Sequence, residues 1–127
     1  MSKKKSKMWR TYHVPDRFLK WYHNMDYNKK RPVLVICDND YLANKCLIVE
    51  LSTHDDNNPY RIKWYDFYSR KANKIKTSYI LPNRIHTINR AYLTNKDETH
   101  NKNNTSLSQD LKDKIYSFIK KLLKTKS

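Results

Sequence analysis

Two histidines, an arginine and a pair of adjacent hydroxyls are the side chains of this sequence that can do chemistry on a phosphodiester. His54 and His86 can each move a proton near neutral pH. Arg31 stands beside Pro32 at the mouth of an apolar run, where a planar guanidinium fork can pair with two phosphate oxygens. Ser52 and Thr53 close a second apolar run with hydroxyls side by side. One group that takes the proton of a 2′-hydroxyl, another that protonates the leaving 5′-oxygen, and a cation beside the pentacoordinate phosphorus suffice to cleave RNA without a metal. Each group also has a plainer reading. Arg31 fits a surface arginine at a strand end, Ser52-Thr53 fits ordinary strand termination, and either histidine alone fits a structural role. Glu50, the only acid inside an apolar run, reads as the outward side of an edge strand. Asp55-Asp56, followed by Asn57-Asn58-Pro59, reads as a turn rather than a metal site. Cys37 and Cys46 are too few for a four-cysteine zinc site and read as small buried residues.

Composition narrows the choice. The 127 residues carry a formal charge of +15 and no glycine, where ordinary usage would give roughly nine. Without glycine the phosphate-cradling GxxxxGK[ST] loop, the GxGxxG dinucleotide turn and the GxSxG elbow are all excluded. Any chemistry must come from side chains. The charge favours a polyanionic partner, and its interleaving with 13% aromatic residues favours nucleic acid over an anionic membrane. The longest uninterrupted apolar run, Val33 to Cys37, is far short of the ~20 residues a membrane span needs. The basic opening residues are followed by no apolar segment of a signal peptide, and the chain reads as cytoplasmic.

Those side chains need a scaffold. Residues 1–8 read as a flexible basic arm, and 9–127 as one domain. The aromatic stretch Trp9 to Tyr27 fits either a helical turn, with Phe18, Trp21 and Tyr22 at helical spacing, or a first strand. Arg31 to Cys37 is a strand buried on both faces, with Pro32 at its start. Cys46 to Thr53 is a second strand, and Tyr60 to Tyr68 alternates as a third, with Tyr60, Ile62, Trp64, Asp66 and Tyr68 on one face. Arg70 to Lys74 reads as a turn, and two strand pieces, Ser78–Leu81 and Ile85–Ile88, flank a bend at Pro82-Asn83-Arg84. The closing segment 106–124 is an amphipathic helix with Ser106-x-x-Gln109 as capping box and Leu111, Ile115, Phe118, Ile119, Leu122 and Leu123 on its apolar face. Mainly β with a C-terminal helix, the chain is expected to form a small, strongly bent open barrel.

This order of features resembles the PemK/MazF family of endoribonuclease toxins from toxin–antitoxin pairs. Arg31-Pro32-Val33-Leu34-Val35-Ile36 is similar to the family's RPVLVI strand, Cys46 to Thr53 to its next strand ending in a hydroxyl pair, and Ser78 to Ile88 to its last long strand. The resemblance implies an SH3-like barrel, usually a homodimer, that cleaves single-stranded RNA such as mRNA without metal or other cofactor, leaving a cyclic phosphate and a 5′-hydroxyl. It implies an acidic antitoxin protein as partner. It assigns Arg31 as the catalytic arginine and Ser52, or by a one-residue slip Thr53, as the catalytic hydroxyl. The sequence departs from the family at Asn83, where an acid is common, and at His86, where arginine is usual. Beside these assignments, His86 and His54 are the candidates for proton transfer. Trp21, Lys29, Lys30, Trp64, Tyr79, Asn83 and Arg84 are the candidates for RNA contact by charge and stacking. The alternative is a non-catalytic nucleic-acid-binding barrel of the same fold.

Overall fold

A computed structural model describes residues 8–19, 30–38, 43–54, 57–94 and 107–124. They form five strands and one helix in the order β1 (Thr11–Pro15), β2 (Lys30–Cys37), β3 (Lys45–Ser52), β4 (Ile62–Ser69), β5 (Lys74–Asn89) and α1 (Gln109–Lys124), with short 3₁₀ turns at Asp16–Phe18 and Arg90–Tyr92. The strands make one antiparallel sheet in the order β1-β2-β3-β5-β4. The chain is therefore mainly β with a C-terminal helix, as expected of a small open barrel. The ambiguous aromatic stretch resolves in part: Thr11–Pro15 is a first strand, with Tyr12 paired to Val33. The basic arm lies almost wholly outside the described residues.

The continuous apolar run of β2 is explained by burial on both faces. Val33 and Val35 join Tyr12, Val14, Leu19, Cys46, Ile48, Ile88 and Leu93 in one core cluster. Leu34 and Ile36 join Val49, Ile80, Leu107 and Ile115 in a second cluster, on the face covered by α1. Helical spacing delivers Ile115 to full burial, with Leu111 and Ile119 partly buried beside it; complete burial of one such side chain contributes about 2 kcal/mol. Tyr116 locks the helix to the sheet by donating from its hydroxyl to the Ile36 carbonyl at 3.1 Å. Ser108 caps the helix, its side-chain oxygen accepting from the Leu111 N–H at 3.3 Å. The cap is thus two residues later than the expected capping box, and Gln109 instead donates to Asp113 within the helix. The apolar pattern shows which face packs, but Thr105, Ser106 and Ser108 all precede the helix as possible caps, and the 3.6-residue period does not choose among them.

Two irregularities shape the sheet. On β4 the register shifts between Lys63 and Tyr65, so the inward side chains are Ile62 and Trp64 before the shift and Tyr65 and Phe67 after it. Strict alternation had placed Asp66 and Tyr68 with Ile62; the extra residue turns them outward. On β5 the two expected pieces are one 16-residue strand. Lys74 to Ile80 pair with β4, while Tyr79 to Leu81 and Ile85 to Asn89 pair with β3, so Tyr79 and Ile80 are flanked on both sides. Between consecutive β3 residues the partner jumps from Ile85 for Val49 to Leu81 for Glu50, leaving Pro82-Asn83-Arg84 as an inserted bend. Proline fits there because its missing N–H costs no ladder bond.

Left-handed backbone occurs at Trp9, Ala43, Asn57 and Asn73, with φ between 52° and 61°. Asparagine tolerates this region, whereas alanine pays for its Cβ. Ala43→Gly is expected to raise stability by about 0.5–1 kcal/mol, the relief of that strain less the entropy glycine adds to the unfolded chain. The midpoint of urea unfolding, at unchanged slope, checks it.

Burial raises the pKa of Tyr65 above its ordinary value, although a hydrogen bond with Ser78 opposes the shift; burial, then Cys37, raises Tyr116. A raised folded-state value means that the folded chain keeps its protons where the unfolded chain begins to lose them. Stability from these groups is complete below about pH 10 and falls as pH climbs beyond it. Tyr65→Phe should flatten part of that alkaline decline, read from urea midpoints on either side of pH 10.

Candidate functional site

Register assembles the site. On β3, Glu50 pairs with Val33 of β2 and with Leu81 of β5, while Ser52 pairs with Tyr79 and Ile48 with His86. Continuing the β2–β3 register by two residues sets Arg31 across from Ser52. Paired residues share a face and side chains alternate, so Arg31, Ser52 and Tyr79 are on one face; Ser52 and Tyr79 are paired, and Arg31 joins their row on the continued register. Val33, Glu50 and Leu81 form the next row, roughly 7 Å along. His86 belongs to the row after that, with Ile48 and Val35.

Glu50 is the centre of this face, contrary to its expected outward place. β3 lies between β2 and β5 and is not an edge strand; Glu50 shares the face of buried Val33 and Ile48, and its side chain is only 2% exposed. Its Oε2 lies 2.7 Å from Nε2 of His86, which is itself buried. Its Oε1 lies 3.9 Å from the Arg84 guanidinium, which the inserted bend carries to the rim. A carboxylate taken out of water needs such partners. The sequence signal was present, an acid flanked by apolar residues on both sides, but its sense depends on strand order, which no local pattern reveals.

The other expected residues are distributed as follows. Ser52, rather than Thr53, occupies the row of Arg31; Thr53 follows the end of β3. The Ser52 hydroxyl is within 3.2 Å of the His54 carbonyl and accepts from the His54 N–H at 3.0 Å, a local turn that holds its oxygen at the strand end. His54 is exposed and is not brought to Glu50 as His86 is. Lys30 opens β2 opposite Pro15. Asn83 is committed locally: its side-chain oxygen accepts from the amide of buried Asn58 at 3.0 Å, tying the bend of β5 to the loop before β4. Trp64 packs into the helix-side cluster, on the face away from this row. Trp21 and Lys29 lie outside the described residues. One cation not anticipated from sequence joins the rim. Arg61 donates to the Asn58 carbonyl at 2.7 Å, and its guanidinium lies 5.9 Å from the centre of the Tyr79 ring. No composition pattern marks it, since only the folding of loop 57–61 onto the bend brings it there.

Chemically, this face offers Arg31, Arg84 and Arg61 to an anion, a serine hydroxyl in the row of Arg31, and an imidazole bonded to a carboxylate. It can bind a phosphodiester and move a proton. A family model describing a PemK-like, MazF-like toxin of type II toxin–antitoxin systems matches residues 21–123, most of the chain. The chain belongs to that family. Comparison with curated proteins gives no match. Within the matched PemK/MazF-like region lie β2 to β5, nearly all of α1 and every residue of the site just described. Membership places the chain among toxins of paired toxin–antitoxin systems. Among the described residues no helix is long and apolar enough to cross a membrane.

Proposed function

We propose that the chain is a toxin-type endoribonuclease that cleaves single-stranded RNA, mRNA included, without a metal. The observation that carries the reading is the convergence, on one sheet face, of Arg31 and Ser52 in one row with His86 beside Glu50 and Arg84. In the reaction the 2′-oxygen attacks phosphorus and the P–O5′ bond breaks. The 2′-hydroxyl loses its proton to a base and the 5′-oxygen gains one from an acid, giving a 2′,3′-cyclic phosphate and a 5′-hydroxyl. Arg31 stabilises the phosphorane charge, and Ser52 positions the scissile phosphate or the 2′-hydroxyl. His86 is the favoured proton-transfer group, with exposed His54 the second candidate. Arg84, Arg61, Lys30 and Tyr79 hold flanking nucleotides by charge and stacking. An acidic antitoxin would cover the same cationic face, and the active form is proposed to be a cytoplasmic homodimer of one barrel domain per chain.

A second reading, a barrel that binds RNA without cutting it, is favoured by Asn83, which offers no carboxylate and is engaged with Asn58. Incubation of the protein with long single-stranded RNA in EDTA separates the two. Fragments ending in cyclic phosphate are expected; retardation of intact RNA on a gel would establish the binding barrel instead.

A further inference from the structure

The family resemblance assigns no role to Glu50. An apolar side chain at this point would pack against Val33, Ile48 and Leu81 without desolvating a charge. Buried ion pairs are commonly no more stabilising than the apolar groups that could replace them. The position therefore does not call for a carboxylate on packing grounds, yet the carboxylate lies between an imidazole and a guanidinium, one row from Arg31 and Ser52. The last strand offers no acid at Asn83, whose amide is used to hold Asn58. β3 brings the acid to the same face from the neighbouring strand.

We propose that Glu50 is the positioning residue of the site, orienting His86 through its Nε2 and steadying Arg84 through its second oxygen. With Glu50 ionised, its carboxylate can only accept, and the 2.7 Å contact then places the imidazole proton on Nε2 and leaves Nδ1 as the basic nitrogen. Ring orientation is fixed by the same bond. The inference rests on the ribonuclease reading for its catalytic consequence; the tautomer assignment rests only on the 2.7 Å contact and an ionised Glu50.

The experiment has two arms. In the first, ¹⁵N shifts of the His86 ring are recorded in the wild-type chain at alkaline pH, where imidazoles are neutral. The Nε2–H tautomer is expected, and a dominant Nδ1–H tautomer overturns the proposal whether or not the protein cuts RNA. In the second, Glu50→Gln keeps the volume and removes the charge. It should lower kcat on single-stranded RNA by on the order of 10²-fold with KM little changed, and mix the two tautomers. Glu50→Asp, which retains the carboxylate at shorter reach, should recover part of kcat and stands in if the Gln variant does not fold. Wild-type kcat in a folded Glu50→Gln, or an equal loss in Gln and Asp variants, overturns the positioning role. A wild-type chain that never cuts RNA defeats the ribonuclease reading and leaves the tautomer arm to decide on Glu50.

Discussion

Arg31→Ala is expected to abolish RNA cleavage while leaving the sheet intact, with a fall in kcat/KM of about 10²–10³-fold or more in EDTA. The magnitude is that of removing one preorganised donor aimed at developing transition-state charge. Arg31 is the second residue of β2 and pairs across from Val14, so its backbone is held by β1, and the continued β2–β3 register sets it across from Ser52. The alanine variant should retain substantial RNA affinity, because Arg84, Arg61 and all but one unit of the +15 formal charge remain; loss of one phosphate contact lowers the salt slope of binding by less than one unit. Cleavage assays paired with gel retardation read both quantities. Equal cleavage by variant and wild type would remove Arg31 from the reaction. Arg31→Lys should rescue poorly, since a point charge does not reproduce the two-pronged guanidinium.

The largest stability effect is expected at Arg90. This residue, in the 3₁₀ turn after β5, donates a hydrogen bond to Asp38, just past the end of β2; the Asp38 side chain is fully buried and that of Arg90 is 16% exposed. The pair ties the segment after β2 to the turn after β5, and the Arg90 backbone N–H is also bonded to the Asn44 carbonyl at 2.8 Å. Arg90→Met would strip a buried carboxylate of its cation and should cost about 3–5 kcal/mol, a large part of the 5–15 kcal/mol by which a domain is usually stable. Asp38→Asn combined with Arg90→Met should recover much of that loss, because no uncompensated charge remains. Urea unfolding of the two single variants and the double variant yields the coupling energy. Additive losses would show that the pair does not act as a unit.

How far the sequence carried depended on whether a feature was local. β2 and β3 were legible because continuous β-branched runs leave few alternatives, and α1 because six apolar side chains keep one helical period, although Leu123, the last of them, is exposed. The bend at Pro82-Asn83-Arg84 was legible from proline chemistry. The face of Asp66 and Tyr68 was not, because one inserted residue near Trp64 inverts every later side chain, and no residue type announces that insertion. Glu50 was misread for a related reason: whether a strand lies at an edge is a property of the whole sheet. Arg31 and Ser52 could be named from type and order, but that they share a row required the register. Asn83 shows the reverse case, a position singled out for RNA whose amide oxygen is taken by a neighbour 25 residues away.

The change of partner along β5 has a consequence for how the chain reaches its folded state. The β4–β5 half is a tight hairpin, with Ser69 beside Lys74, and can close early. The β3–β5 half joins Lys45 to Asn89 and must wait for a long loop to be drawn in. Arg31 and Ser52 belong to the β2–β3 hairpin, whereas Arg84 and His86 lie in the late half of β5. The cationic face therefore has no local precursor. A nascent chain carries its arginines apart until the last strand pairing forms, so onset of RNA cleavage should coincide with completion of the slowest folding phase.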